Sequence, residues 1–147
     1  MIGKILVAYD ASPASNRAVS MAAEIAEKFG SDLTITYVIR DMQVPPQVKR
    51  MAEIEKIRGD TEDLLRAVAE SALRDAKTRA EKKGVKKVQT SVGHGDPANA
   101  ILQAAKRQNA DLVVIGTRGL GKVQGMLLGS VSRKVSNLLP GNCLIVH

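Results

Sequence analysis

Residues 111–132 read DLVVIGTRGLGKVQGMLLGSVS, and this stretch decides the fold. Asp111 to Ile115 is a short apolar run rich in β-branched residues, which predicts a buried strand. Glycines then stand at positions 116, 119, 121, 125 and 129. They allow positive φ and let backbone N–H groups approach a ligand closely. Ser130 opens a helix marked by Val131, Val135, Leu138 and Leu139 and stopped at Pro140-Gly141. The first N–H groups of such a helix lack intrahelical partners and attract anions. Arg118 and Lys122 add positive charge to the same loop. Strand, glycine loop and helix start together predict an anion cradle.

Working outward, the same alternation of strand and helix recurs. Lys4 to Tyr9 (KILVAY) predicts a buried strand ending at Asp10, and Ser12-Pro13 reads as an N-cap followed by proline at the first helical position. Ala18, Ala22, Ile25, Ala26 and Phe29 follow at helical spacing until Gly30, and Asp32 to Ile39 (DLTITYVI) reads as a second strand. Residues Arg40 to Asp60 are less regular. Pro45-Pro46 breaks the chain, and Val48, Met51, Ile54 and Ile57 suggest a short helix in a mobile flap, packed loosely or against a second subunit. A clear helix is expected from about Thr61 to Lys83, with Leu64, Leu65, Val68, Ala69, Ala72, Leu73, Ala76 and Ala80 on one stripe. Val88 to Val92 alternates as a third strand. Asp96-Pro97 repeats the cap signal and opens a helix through Gln108, with Ile101, Ala104 and Ala105 inward; Cys143 to Val146 is a last strand.

Strands alternating with helices imply a parallel sheet covered on both faces, and right-handed crossovers leave a doubly wound five-stranded α/β sandwich. We expect one domain over residues 1–147, without linker or repeat. Ligands of such sheets sit beyond the carboxyl ends of the strands, where the winding reverses. That directs attention to Asp10, Val38, Gly93 to Asp96 and Gly116 to Ser130.

Composition narrows the function. Hydrophobic residues make up 44% of the chain but aromatics only 2%, so the core must be aliphatic and base-stacking platforms are not expected. Cys143 is alone, which excludes an internal disulfide or a multi-cysteine zinc site, and two histidines, His94 and His147, cannot build a three-histidine centre. No metal ligands are assigned. Neither an apolar leader after Met1 nor a run long enough to span a bilayer is visible, so no membrane association and a cytoplasmic, reduced location are expected. The formal charge of +7 favours anionic partners. Lys77, Arg79, Lys82, Lys83, Lys86 and Lys87 cluster against Glu81; without interleaved aromatics we read them as a solvated helix end, not as a nucleic-acid patch.

Three nucleotide patterns compete for the glycine loop. Gly116 to Lys122 satisfies GxxxxGK, but Val123 stands where a phosphate-loop NTPase needs a hydroxyl for magnesium. GxGxxG fails because the glycine after Gly119-Leu120-Gly121 comes at 125, one position late. Gly116, two residues, Gly119, nine residues, Gly129 and Ser130 fit G-2x-G-9x-G-(S/T). This signature, with Val131-Ser132, Asp10 after the first strand and Gly95-Asp96-Pro97, resembles the universal stress protein family across essentially the whole chain.

The resemblance implies an adenine nucleotide alpha-hydrolase-like fold with strand order 3-2-1-4-5, so that Asp10 and Gly116 face one crevice. It implies that Asp10 and the backbone at Val38 hold adenosine, and that Gly116, Gly119 and Gly129 with Ser130, Val131 and Ser132 hold ribose and phosphates. Thr117, Arg118, Gly121 and Lys122 lie in or beside the signature, and the two cations could screen phosphate charge. The expected ligand is ATP with magnesium. The family often has Asp-Gly-Ser after the first strand, whereas this chain has Asp10-Ala11-Ser12, and alanine adopts positive φ less readily than glycine.

No arranged nucleophile, base and orienter is visible, so no catalytic residue is assigned. His94 lacks a carboxylate partner in sequence, Cys143 reads as a strand thiol, and the Ser12, Ser15 and Ser132 hydroxyls read as caps. The leading reading is an ATP-binding stress-response switch or binding module. The alternatives are a slow ATPase or adenylyl or phosphoryl transferase using the same site, and a nucleotide-free dimeric interaction protein. Leu144, Ile145 and Val146 form an apolar edge strand, and both that edge and the resemblance point to a homodimer through it.

Overall fold

Alternation along the central strand divides the molecule into two packed layers. In β1 (Lys4–Tyr9), Ile5, Val7 and Tyr9 point to one face of the sheet and Leu6 and Ala8 to the other, all buried. The computed structural model describes residues 1–41, 52–118 and 128–147. Around β1 the described elements follow as α1 (Pro13–Phe29), β2 (Asp32–Ile39), α2 (Ala52–Lys82), β3 (Val88–His94), α3 (Pro97–Gln108), β4 (Leu112–Gly116), α4 (Ser130–Leu138) and β5 (Asn142–Val146).

The strands form one parallel sheet in the order β3-β2-β1-β4-β5, as expected for the fold. Val7 pairs with Ile35 on one side and Val114 on the other. The odd face of β1 packs on α1 and α2 through Ala18, Ala22, Leu73 and Ala76, and the even face packs on α3 and α4 through Ile101, Ala104 and Val135. Small alanines on the helices allow close approach to aliphatic strands, which is how a chain with so few aromatics fills its core.

Both proline-led helices begin as predicted. Ser12 caps α1, its hydroxyl accepting from the Ser15 N–H at 3.2 Å, and Asp96 caps α3, accepting from the Asn99 N–H at 3.0 Å. Burial under the Asn99 bond outweighed, the Asp96 carboxyl is held below its ordinary value by that N–H and by Lys134 at 3.3 Å. Gly30 ends α1 in the left-handed region, and Asn109 does the same for α3.

Several expectations need correction. The short helix read within residues 48–57 and the helix read from Thr61 are one element: α2 begins at Ala52 and runs through Gly59 and Asp60. The proposed flap therefore loses residues 52–60, while 42–51 lie outside the described residues. Leu64 and Val68, which share the apolar stripe of this helix, are 63% and 52% exposed, and Phe29 and Leu138 are exposed as well. β3 extends past Val92 to His94. β4 starts at Leu112; the Asp111 before it ties to the start of β1, its carboxylate accepting from the N–H groups of Gly3 and Lys4 at 3.0 and 2.9 Å and its N–H donating to the Lys4 carbonyl at 2.8 Å.

Among the described residues, two of the six cations in the basic cluster are matched by acids from other elements. Lys83 pairs with Glu24 and Lys87 with Asp32, each at 2.7 Å, while Arg79 donates to the Tyr9 hydroxyl and to Asn16 Oδ1. No helix among the described residues is long and apolar enough to cross a membrane.

Candidate functional site

A crevice of about 500 Å³ opens at the carboxyl ends of β1, β2 and β4, where the winding of the sheet reverses. Ala8, Val38, Ile101 and Ile115 supply apolar lining, α2 contributes Leu65 and Val68, and the start of α4 contributes Ser130, Val131 and Ser132. Asp10 and Gly116 both line it, which brings together the first-strand acid and the glycine loop as expected.

The backbone after β1 holds Asp10 in place. Its Oδ1 accepts from the Ser12 N–H at 2.9 Å, and its own N–H donates to Ser15 Oγ at 3.3 Å. Ser15 Oγ donates in turn to the Ser12 carbonyl at 3.0 Å. This tight turn requires Ala11 at φ 66°, the left-handed conformation that the sequence flagged as awkward for alanine. Asp10 thus caps a turn and faces the crevice together; the two readings do not compete. Beside it, Tyr37 meets Tyr9 edge to face with centroids 6.5 Å apart, and burial together with the Asp10 carboxylate pushes the Tyr37 phenol above its ordinary value.

Of the signature glycines, Gly116 is required by packing and Gly129 is tightly placed. A Cβ on Gly116 would stand 2.9 Å from both the carbonyl carbon and the Cβ of Ala14, so only glycine lets the first turn of α1 lie against the end of β4. A Cβ on Gly129 would stand 3.2 Å from the Thr117 carbonyl oxygen. It points at the protein's own backbone. Gly129 has an ordinary extended conformation and caps α4 without a side-chain bond.

Thr117 is buried and does not line the crevice, although it was expected at the ligand. Its peptide unit ties two regions together. The N–H donates to the Val146 carbonyl at 2.9 Å, and the carbonyl accepts from the Gly129 N–H at 2.6 Å and from Ser132 Oγ at 2.9 Å. Ser132 Oγ also lies 3.1 Å from the Gly129 carbonyl, so this buried hydroxyl braces the loop ends. Gly119, Gly121 and Lys122 lie outside the described residues.

Sequence reasoning missed Arg40, Leu65 and Val68 as lining residues. The two apolar ones were visible only as members of a helical stripe, whose inward direction a sequence cannot assign. His94 closes β3 and is exposed, with Arg66 directed at its Nε2 at 3.3 Å. Cys143 is half-buried on β5, and burial pushes its thiol upward. Among the described residues no group of three or more His, Cys, Asp or Glu side chains could hold a metal ion.

This fold and crevice define a doubly wound α/β protein with a site at its switch point, and comparison with known proteins narrows the class. The Universal stress protein family matches residues 1–147, and the chain belongs to it. Universal stress protein YxiE of Bacillus subtilis is 35% identical, with the alignment covering 100% of both chains. The structure of universal stress protein UspA from Lactobacillus plantarum superposes with a TM-score of 0.88 over 99% of this chain and 98% of that one; at 24% identity it speaks for the fold alone. A universal stress protein crystallised in complex with cAMP gives a TM-score of 0.71 at 29% identity, covering 99% of this chain and 96% of that one.

Proposed function

We propose that this universal stress protein binds ATP in the crevice between β1 and β4 and acts as a nucleotide-responsive switch or binding module in the cytoplasm. The observation that carries the reading is the order of chemistry along the crevice. At the β2 side stand Tyr37, Val38 and Ile39 with Leu65 and Val68; Asp10 lies between; at the β4 side stand Gly116, Arg118, Gly129 and Ser130 with the start of α4. Apolar surface, then a carboxylate acceptor, then a cation beside helix N–H groups matches base, ribose and phosphates in sequence. The similarity to a protein crystallised with cAMP supports an adenine nucleotide as the ligand class.

Asp10, Val38, Arg118, Ser130 and Val131 are the contacts we assign among the described residues, with Gly119, Gly121 and Lys122 as further candidates from the sequence. Magnesium would arrive held by the phosphates, since Asp10 is the sole carboxylate among the described lining residues. One Asp10 oxygen already accepts a backbone N–H, and no lining histidine or cysteine stands beside it among the described residues, which favours holding the nucleotide over turning it over. A homodimer through β5 completes the reading.

The test is a mass spectrum of small molecules released from the purified protein, followed by calorimetry with ATP, ADP, AMP and cAMP. ATP binding is expected with no more than slow release of labelled phosphate. Absence of binding to any adenine nucleotide would return the chain to the nucleotide-free interaction class, and rapid hydrolysis would make it an enzyme.

A further inference from the structure

Helix α2 has two unlike halves. From Ala69 onward it is docked on the sheet, with Ala69, Leu73, Ala76 and Ala80 buried. Before that, none of residues 59 to 68 is buried. At about 1.5 Å per residue these ten residues, the arm of α2, span about 15 Å of a helix that continues back to Ala52. A helical stretch with no fully buried side chain gains little from packing, and this one draws order from the docked half that continues it.

The arm nevertheless points apolar side chains somewhere definite. Leu65 and Val68, one helical turn apart, line the crevice together with Tyr37, Val38 and Ile39, whereas Leu64 is more exposed than either and does not line it. Leu65 and Val68 therefore share the crevice with the end of β2, from the helix that packs on β2 and β3, while Gly129 and Ser130 line it from the side of β4. Val68 keeps half of its surface in water although it belongs to a cavity wall. A flat ligand with apolar faces, seated on the β2 end, removes that surface from water.

We infer that the arm of α2 is the outer jaw of the site, closing Leu65 and Val68 on the base of the bound nucleotide. This inference rests on the proposed nucleotide reading and adds to it a specificity element outside the glycine signature. The jaw grips the heterocycle and leaves the phosphates to the β4 end, so it selects base-bearing ligands over bare polyphosphate. Closing also steadies the arm, because ligand contact covers the apolar surface that Val68 leaves in water.

The experiment compares the intact chain with a Leu65→Ala/Val68→Ala double variant and a Leu64→Ala control. Alanine is the strongest helix former, so each variant keeps the arm helical. Calorimetry with ATP and with tripolyphosphate, and amide hydrogen exchange over residues 59–68 with and without ATP, give independent readouts. We expect the double variant to bind ATP about tenfold more weakly, a change of about 1.4 kcal/mol, with tripolyphosphate unaffected and Leu64→Ala within twofold of the parent. ATP should slow exchange in the arm of the parent and fail to do so in the double variant. Equal ATP affinity in parent and double variant, or an equal loss in the Leu64→Ala control, overturns the jaw while the nucleotide reading stands. A parent protein that binds no adenine nucleotide defeats that reading instead.

Discussion

Gly116 and Ala14 touch so closely that the glycine's missing side chain is itself a packing element: a Cβ there would stand 2.9 Å from two atoms of Ala14. Because Ala14 is backbone-fixed in the first turn of α1, neither partner can yield by a rotamer change. Gly116→Ala should cost about 1–3 kcal/mol, in the range of overpacked cores. Urea unfolding measures it, and an unshifted midpoint would mean that α1 can move away freely.

Ala11 occupies the left-handed region at φ 66°. An L-residue there carries roughly 1–2 kcal/mol of strain, part of which glycine returns through a looser unfolded chain. Ala11→Gly should therefore stabilise the protein by up to about 1 kcal/mol. Denaturant midpoints decide the sign, and a loss of stability would contradict the strain.

Removing the Ser132 hydroxyl tests the brace at the loop ends. The Thr117 and Gly129 carbonyls keep other donors, the N–H groups of Gly129 and Arg133, so no buried acceptor is orphaned. Ser132→Ala should cost about 1 kcal/mol, read as a lower thermal midpoint with the fold retained. A loss several times larger would show that the hydroxyl holds more than these two carbonyls.

The Asp96 cap sets an acid dependence. Its folded carboxyl titrates below its ordinary 3.8, first through the Asn99 N–H and then through Lys134. A lowered folded value means that the contribution is present above the unfolded value and is lost as pH falls through the folded one. Asp96→Asn should flatten this part of the stability profile below about pH 4 while retaining an acceptor for the cap. Parallel parent and variant profiles down to pH 2 would remove Asp96 from the account of acid sensitivity.

Assembly can be read without mutation. β5 has β4 as its one neighbour in the sheet, and an edge strand presents a row of backbone donors and acceptors. Leu144 and Val146 pack toward the α1 layer and Cys143 and Ile145 toward the α3–α4 layer. A charged substitution here would disturb the core as well as the edge, so sedimentation of the unaltered chain is the cleaner measurement. We expect a dimer, and a monomer at high micromolar concentration ends the proposal.

Much of the fold was legible because its signals are local. Apolar runs mark the strands, Ser12-Pro13 and Asp96-Pro97 mark helix starts, and their order implies the sheet. The continuity of α2 was not legible, because the break read between Ile57 and Thr61 rested on irregular spacing, and Gly59 in a helix costs only about 1 kcal/mol, too little to end it. Nor could the basic run disclose its partners, since Glu24 and Asp32 reach Lys83 and Lys87 from distant elements. At the site, Asp10 and the loop residues could be named from the chain. That Gly116 makes room for α1, and that Thr117 turns away from the crevice, are consequences of packing that no spacing encodes.

The bond from the Gly129 N–H to the Thr117 carbonyl joins the two ends of the glycine segment directly. One end is anchored to the sheet through the Thr117 N–H on the Val146 carbonyl, and the other opens α4. The seam between the end of β4 and the start of α4 is thus fixed by backbone bonds that depend on no side chain between them.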